Sequence, residues 1–136
     1  MTRNFQLKDS KFNLKPSSTS ENWYIFDVET NGLYDSVTEI FCIVIYDVTR
    51  KQTVTYGPDS IDSAIEHLHR ADVLIGHNII FYDIPVLRKL TDFKLTAHVI
   101  DTLVCTRFVW PKEILYDLDV NHYPQVPPKF RGAAGL

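Results

Sequence analysis

The run Trp23-Tyr24-Ile25-Phe26-Asp27-Val28-Glu29 sets two carboxylates inside a stretch that is otherwise aromatic and apolar. Aromatic and β-branched residues favour a strand, whereas Asp and Glu are depleted there, so the acids need a reason for their place. Side chains alternate faces along a strand, which puts Asp27 and Glu29 on one face. Thr30-Asn31-Gly32 ends the run, and the whole segment reads as a central strand buried on both faces. Two readings stay open for the acids. Either the strand ends early and both are solvated, or they face a cation, because like charges this close repel and an unpaired buried charge is costly.

Further strands follow at regular intervals. Thr38 to Asp47 and Thr53 to Tyr56 are apolar and β-branched, with Thr49-Arg50-Lys51-Gln52 between them as a turn, so the first three strands form an antiparallel meander. Asp59 or Ser60 can cap a helix whose apolar positions Ile61, Ala64, Ile65 and Leu68 repeat at helical spacing. Ala71 to Gly76 is a short strand, and a helix follows from Asp83 with Pro85 in its first turn. Val99-Ile100 is a small strand, and Thr102 to Trp110 a helix that Pro111 stops. The order βββαβαβα predicts an α/β domain over 23–110, its meander followed by parallel strands and flanked by helices.

With 136 residues there is room for one such domain, and 45 % hydrophobic residues suffice for its core. Residues 1–22 are polar and end near Pro16-Ser17-Ser18-Thr19-Ser20, which predicts a flexible arm. Residues 111–136 carry four of the seven prolines and predict an irregular tail.

Charge and cysteine content narrow the function. The chain has 14 Lys and Arg against 17 Asp and Glu, a net charge of -3, with no basic stripe, so a nucleic-acid partner would be held locally or through a metal. Cys42 and Cys105 lack the spacing of a zinc module or a disulfide scaffold, which fits a reducing cytoplasm. No signal-peptide core and no apolar run near the ~18 residues of a membrane span is present, so no membrane partner is expected. The serine-hydrolase elbow, the phosphate-binding P-loop and the dinucleotide glycine motif are all missing. Among the histidines, His67 and His69 diverge on a helix, and His98 and His122 have no companions. His77 stands out by position, with a core or turn role as its ordinary reading.

Two more acids arrive at strand ends. Asp83 follows the turn after Gly76-His77-Asn78 and begins a helix, and Asp101 lies between Ile100 and Thr102 in the same strand-then-helix context. Each can be a helix cap or a ligand. Three strand ends delivering acids gather at one edge of an open sheet, where ligands bind. An all-oxygen donor set suits Mg2+ or Mn2+ rather than zinc or copper.

Phe26-Asp27-Val28-Glu29-Thr30-Asn31-Gly32-Leu33 resembles the first motif (DxE) of the DnaQ-like, or DEDD, 3′–5′ exonucleases. Gly76-His77-Asn78-Ile79-Ile80-Phe81-Tyr82-Asp83-Ile84-Pro85 resembles their second motif, and Ile100-Asp101-Thr102-Leu103 the segment that follows it. Residues 23–110 are similar to the proofreading domain of Pol I-like replicative DNA polymerases of short-tailed phages, with the segments in the same order. The resemblance implies a ribonuclease H-like mixed sheet and a two-metal phosphodiester hydrolase acting on 3′ ends of single-stranded DNA, in the host cytoplasm if phage-encoded. It makes Asp27, Glu29 and Asp83 metal ligands, and Asp101 a further catalytic acid behind them. It sets Thr30 and Leu33 against the terminal nucleotide, with Asn78 and Tyr82 facing the same cleft.

One departure stands out. The family's third motif pairs a Tyr or His with an Asp four residues on, supplying a fourth acid and a group that positions the attacking water. No Tyr or His here has that partner, and Glu113, Asp117 and Asp119 lack the spacing to replace it. A DNA polymerase chain, or another chain supplying the motif, is therefore an expected partner. The alternative is a non-catalytic exonuclease-like module that binds single-stranded nucleic acid or a polymerase.

Overall fold

The structure is a computed structural model that describes residues 21–110, 112–122, 125 and 127. Strands β1 (Trp23–Thr30), β2 (Ile40–Asp47) and β3 (Gln52–Tyr56) form the antiparallel meander. Strands β4 (Val73–Gly76) and β5 (His98–Asp101) add in parallel on the other side of β1, giving the order β3-β2-β1-β4-β5. The predicted mixed α/β sheet is the one that forms, with β1 at its centre.

The helices are α1 (Ile61–Leu68), α2 (Asp83–Leu90), α3 (Thr102–Val109) and α4 (Lys112–Asn121). Pro85 lies in the first turn of α2, as expected, where its missing N–H has no helical partner to lose. Tyr24, Phe26 and Val28 of β1 pack with Ile43, Ile45 and Leu74 under Ala64, Ile65 and Leu68 of α1 and Val86 and Leu87 of α2. All of this lies in one cluster, so only one face of β1 is buried. Ile25, on the other face, is 41 % exposed, and Asp27 and Glu29 are exposed with it. The reading of β1 as buried on both faces is thereby corrected.

Three local readings also change. Asn22 belongs to the domain rather than to an arm, since its N–H donates to Asp72 Oδ2 at 2.7 Å and its carbonyl accepts from Asp72 N at 2.9 Å. Residues 1–20 of the expected arm lie outside the described residues. Ser60 does not cap α1: a 3-10 turn at Pro58–Ser60 precedes the helix, and the Ser60 hydroxyl donates back to the Gly57 carbonyl at 3.0 Å. In the tail predicted to be irregular, Lys112–Asn121 is helical. No proline falls inside that stretch, and the four of the tail (Pro111, Pro124, Pro127, Pro128) flank it.

The approach of β4 to β1 sets the site edge. A methyl group at Gly76 would lie 2.9 Å from the Phe26 carbonyl oxygen and 2.3 Å from Ile79 Cγ2, and Ile79 is fully buried. Only glycine lets the parallel ladder run out to residue 76, opposite Asp101. Gly76→Ala is therefore expected to cost about 1–3 kcal/mol through overpacking, read as a lower urea midpoint with unchanged slope.

Candidate active site

Beyond Gly76 the chain turns sharply. Asn78 takes the left-handed conformation (φ 63°), which Asn tolerates better than most residues. Its carbonyl accepts from Phe81 N at 3.2 Å and Tyr82 N at 3.1 Å. The turn is held from outside by Asp101, which is 3 % exposed. Asp101 Oδ1 accepts from Asn78 N (2.9 Å), Leu103 N (2.9 Å) and Val104 N (3.4 Å), and Oδ2 accepts from Ile80 N (3.0 Å). Burial pushes its carboxyl up, but these four amides outweigh it and hold the group below the ordinary aspartate value. Asp101 thus caps α3 and braces the turn into α2. Both its oxygens are engaged by backbone, which is the geometry of a positioning residue.

Asp83 is differently placed. It is the first residue of α2, with Tyr82 at the cap position, so the capping alternative does not hold for it. Its Oδ1 accepts from Val28 N at 3.0 Å, between Asp27 and Glu29. The residue is 4 % exposed. Burial, then the negative charge of Asp27, push its carboxyl up to about 6; the Val28 amide opposes them, and Asp101 adds to the rise. An aspartate near neutrality between its two protonation states is a functional-site signature. Asp27 and Asp83 are therefore brought together from two segments 56 residues apart in sequence. Glu29 lies on the same face as Asp27, opposite Cys42, just before a register shift at Glu29/Thr30 that ends the regular pairing.

The fit to a metal follows from this donor set. Among the described residues, no group of three or more His, Cys, Asp or Glu stands ready to hold an ion. Asp27 and Asp83 are the two whose charges interact in this geometry, and Glu29 shares the exposed face of β1 with Asp27. A pair of carboxylates suits Mg2+, which keeps several waters and completes its shell with substrate phosphates. It does not suit zinc, which prefers a closed tetrahedral set with nitrogen or sulfur.

The remaining predicted residues lie around the same edge. Tyr82 Oη donates to the Gly32 carbonyl at 2.5 Å, Thr30 Oγ1 lies 3.0 Å from that carbonyl, and the two hydroxyls are hydrogen-bonded to each other. They close the end of β1 onto the start of α2. Leu33 projects outward, 79 % exposed, from a turn whose Ser36 N and Val37 N donate to its carbonyl at 2.9 and 2.8 Å. Two residues that brace this loop were missed. Asn31 Oδ1 accepts from Thr38 N (3.0 Å) and Glu39 N (3.2 Å), a habit of Asn in loops that the sequence could have signalled. Lys89 Nζ donates to the Tyr34 carbonyl at 2.7 Å across 55 residues, for which the sequence holds no signal.

Comparison with known proteins places the chain. A family model described as the RNase_H superfamily matches residues 24–122. The chain is 30 % identical over 123 residues to the DNA-directed DNA polymerase of Escherichia phage T7, and 28 % over 123 residues to that of Enterobacteria phage T3. Each alignment covers 82 % of this chain and 18 % of the relative, so the chain spans under a fifth of the length of these polymerases. The likeness to phage polymerases read from the motifs is borne out.

Asp83 and Asp101 should respond oppositely to pH and to substitution. Asp83, with a raised folded value, contributes stability that is fully present below the unfolded value of 3.8 and is lost as pH rises through about 6. Asp101 and Asp47 have lowered values, so their contribution is present above 3.8 and lost on further acidification. Stability in EDTA should therefore peak between about pH 4 and 6 and fall on both sides. Asp83→Asn should remove the neutral-side loss, raising stability at pH 7 by on the order of 2 kcal/mol. Asp101→Asn should cost about 1–3 kcal/mol, because its amide group would face a backbone donor. Urea titrations from about pH 3 to about pH 8 read all three.

Proposed function

The chain belongs to the RNase_H superfamily, and from that premise we propose that it is a metal-dependent 3′–5′ exonuclease acting on single-stranded DNA ends. The observation that carries this reading is the pair of carboxylates at the sheet edge, exposed Asp27 beside buried Asp83, whose carboxyl is pushed up to about 6. Such a pair is electrostatically unfavourable by itself and favourable around a hard divalent cation.

Asp27 and Asp83, with Glu29 beside them, are the residues that would hold Mg2+ or Mn2+. When bound, the ion lowers the pKa of a water and offsets charge at the scissile phosphate. Asp83 is oriented for this by the Val28 amide, which fixes one of its carboxylate oxygens. Asp101 positions the turn that carries Asn78 and Tyr82. Leu33, exposed at the loop tip, offers an apolar surface to a terminal base. With a net charge of -3 and no basic stripe, the grip on DNA is weak and local to this edge, with few phosphate contacts and a shallow salt dependence.

The partner in this reading is a DNA polymerase chain, or a chain that supplies the third motif. Support comes from α3, where Val104 (45 %), Phe108 (90 %) and Val109 (61 %) are exposed among the described residues, an apolar surface of the kind that marks an interface. A second reading, a non-catalytic module that binds single-stranded nucleic acid or a polymerase, draws support from the lack of a three-ligand group among the described residues. No described helix is long and apolar enough to cross a membrane, and the proposed place of action is the cytoplasm.

Digestion of a 3′-labelled single-stranded oligonucleotide separates the two. The exonuclease reading expects stepwise shortening that stops in EDTA and is faster with Mn2+, which tolerates an incomplete ligand set better than Mg2+. Asp27→Ala should abolish it by at least about 100-fold while leaving stability unchanged or slightly higher, since a repulsion is relieved. Digestion that survives Asp27→Ala or EDTA would refute the mechanism, and no digestion with intact DNA binding would favour the module.

A further inference from the structure

We propose that Lys89 is a positioning residue for the DNA end, fixing from α2 the loop that carries Leu33 so that this side chain is held where a terminal base can pack on it. The inference rests on the exonuclease reading above, which gives Leu33 its contact with the base.

Residues 31–39 join β1 to β2. The neck of this loop is tied to itself, since Asn31 Nδ2 donates to Thr38 Oγ1 at 2.7 Å and Asn31 N to the Glu39 carbonyl at 3.2 Å. Its tip is tied to α2. Tyr82 Oη, at the cap of that helix, donates to the Gly32 carbonyl at 2.5 Å. Lys89 Nζ, in the last turn, donates to the Tyr34 carbonyl at 2.7 Å and to the Asp35 carbonyl at 3.4 Å, and it lies 5.2 Å from the centre of the Tyr34 ring. Leu33 stands in the chain between the two tied residues.

Two features set this tie apart from an ordinary surface contact. Lys89 enters no ion pair among the described residues, so its charge is used on neutral carbonyls, where a charged donor makes the stronger bond. What it steadies is a leucine left 79 % exposed. Holding an exposed apolar side chain in one place gains the fold little by burial, but it lowers the ordering cost that a ligand would otherwise meet on binding. The base at a single-strand end, with its open ring face, is such a ligand. The helix that carries the brace also begins with Asp83. The base contact and the proposed metal ligand are thereby registered to one element, and the brace acts on binding rather than on the chemical step.

Affinity is read at low salt by fluorescence anisotropy of a labelled short thymidine oligonucleotide with Ca2+, and turnover by the digestion assay. Lys89→Met, which keeps the stem and loses the donors, should weaken binding and raise KM by about three- to tenfold. Its kcat should stay within about twofold of wild type, the pattern of lost uniform binding. Lys89→Arg, which keeps donors, should recover most of the affinity. Leu33→Ala should weaken binding as well, and adding Lys89→Met to it should cost no more than about a further twofold, because residues that act through one contact are not additive. Backbone 15N relaxation should show Leu33 and Tyr34 as ordered as the strands in wild type and looser in Lys89→Met. Wild-type affinity in Lys89→Met, a fully additive loss in the double variant, or a fall in kcat with KM unchanged overturns the inference, as does a loop no more ordered in wild type than in Lys89→Met. A chain that binds the oligonucleotide without digesting it overturns the exonuclease reading and leaves Lys89 to be judged on the affinities. A chain that neither binds nor digests overturns both.

Discussion

Strand β4 can lie against β1 only because residue 76 has no side chain. The Phe26 carbonyl and the buried Ile79 occupy the space where a Cβ would sit. From that contact the rest of the site edge follows. Gly76 stands opposite Asp101, so the carboxylate at the end of β5 can reach the amides of Asn78 and Ile80 in the turn beyond β4. The turn, fixed in this way, starts α2 at a point where its first residue reaches the Val28 amide of β1. One missing methyl group therefore links three strands, a turn and two helices.

The same side chain type ends in two opposite electrostatic situations within this small region. Asp101 is buried and welcome as an anion, because four backbone N–H groups point at it. Asp83 is equally buried but has few donors and a like charge nearby, and its carboxyl is pushed up to about 6. Environments that push two carboxyls apart are how a single residue type is divided between structural and chemical work. At the opposite end of the sheet, Asp47 shows the structural case again. It is buried yet kept below its ordinary value, because the Arg50 amide (2.8 Å) and guanidinium (2.6 Å) outweigh the cost of burial.

Much of the fold was legible from pattern. The apolar runs located all five strands, and the short polar turn at 49–52 made the first three antiparallel. The helical spacing of Ile61, Ala64, Ile65 and Leu68 identified α1, and the position of Pro85 identified the first turn of α2. Errors came where the deciding neighbour was distant or where composition misled. An apolar run cannot say whether one or two faces of a strand will be covered, and β1 is covered on one. The prolines suggested an irregular tail, yet their spacing left the ten residues of α4 uninterrupted. Asn22 reads as part of a polar arm until Asp72 is seen to hold it from both sides of its peptide unit.

The sequence by itself determined which acids are present and that they fall at strand ends, because strand length and apolar pattern are local properties of the chain. It also determined the family, since the residues at those strand ends carry the motifs. It left open whether Asp83 and Asp101 were caps or ligands, because in both positions the local signal, an acid at a helix start, is identical. Only the tertiary structure separated them. Asp101 receives amides from its own helix and from a turn 23 residues back, whereas Asp83 is turned away from its helix towards β1 and the charge of Asp27. Burial, donor count and nearby charge are sums over neighbours brought together by folding, and those sums decide what a carboxylate can do.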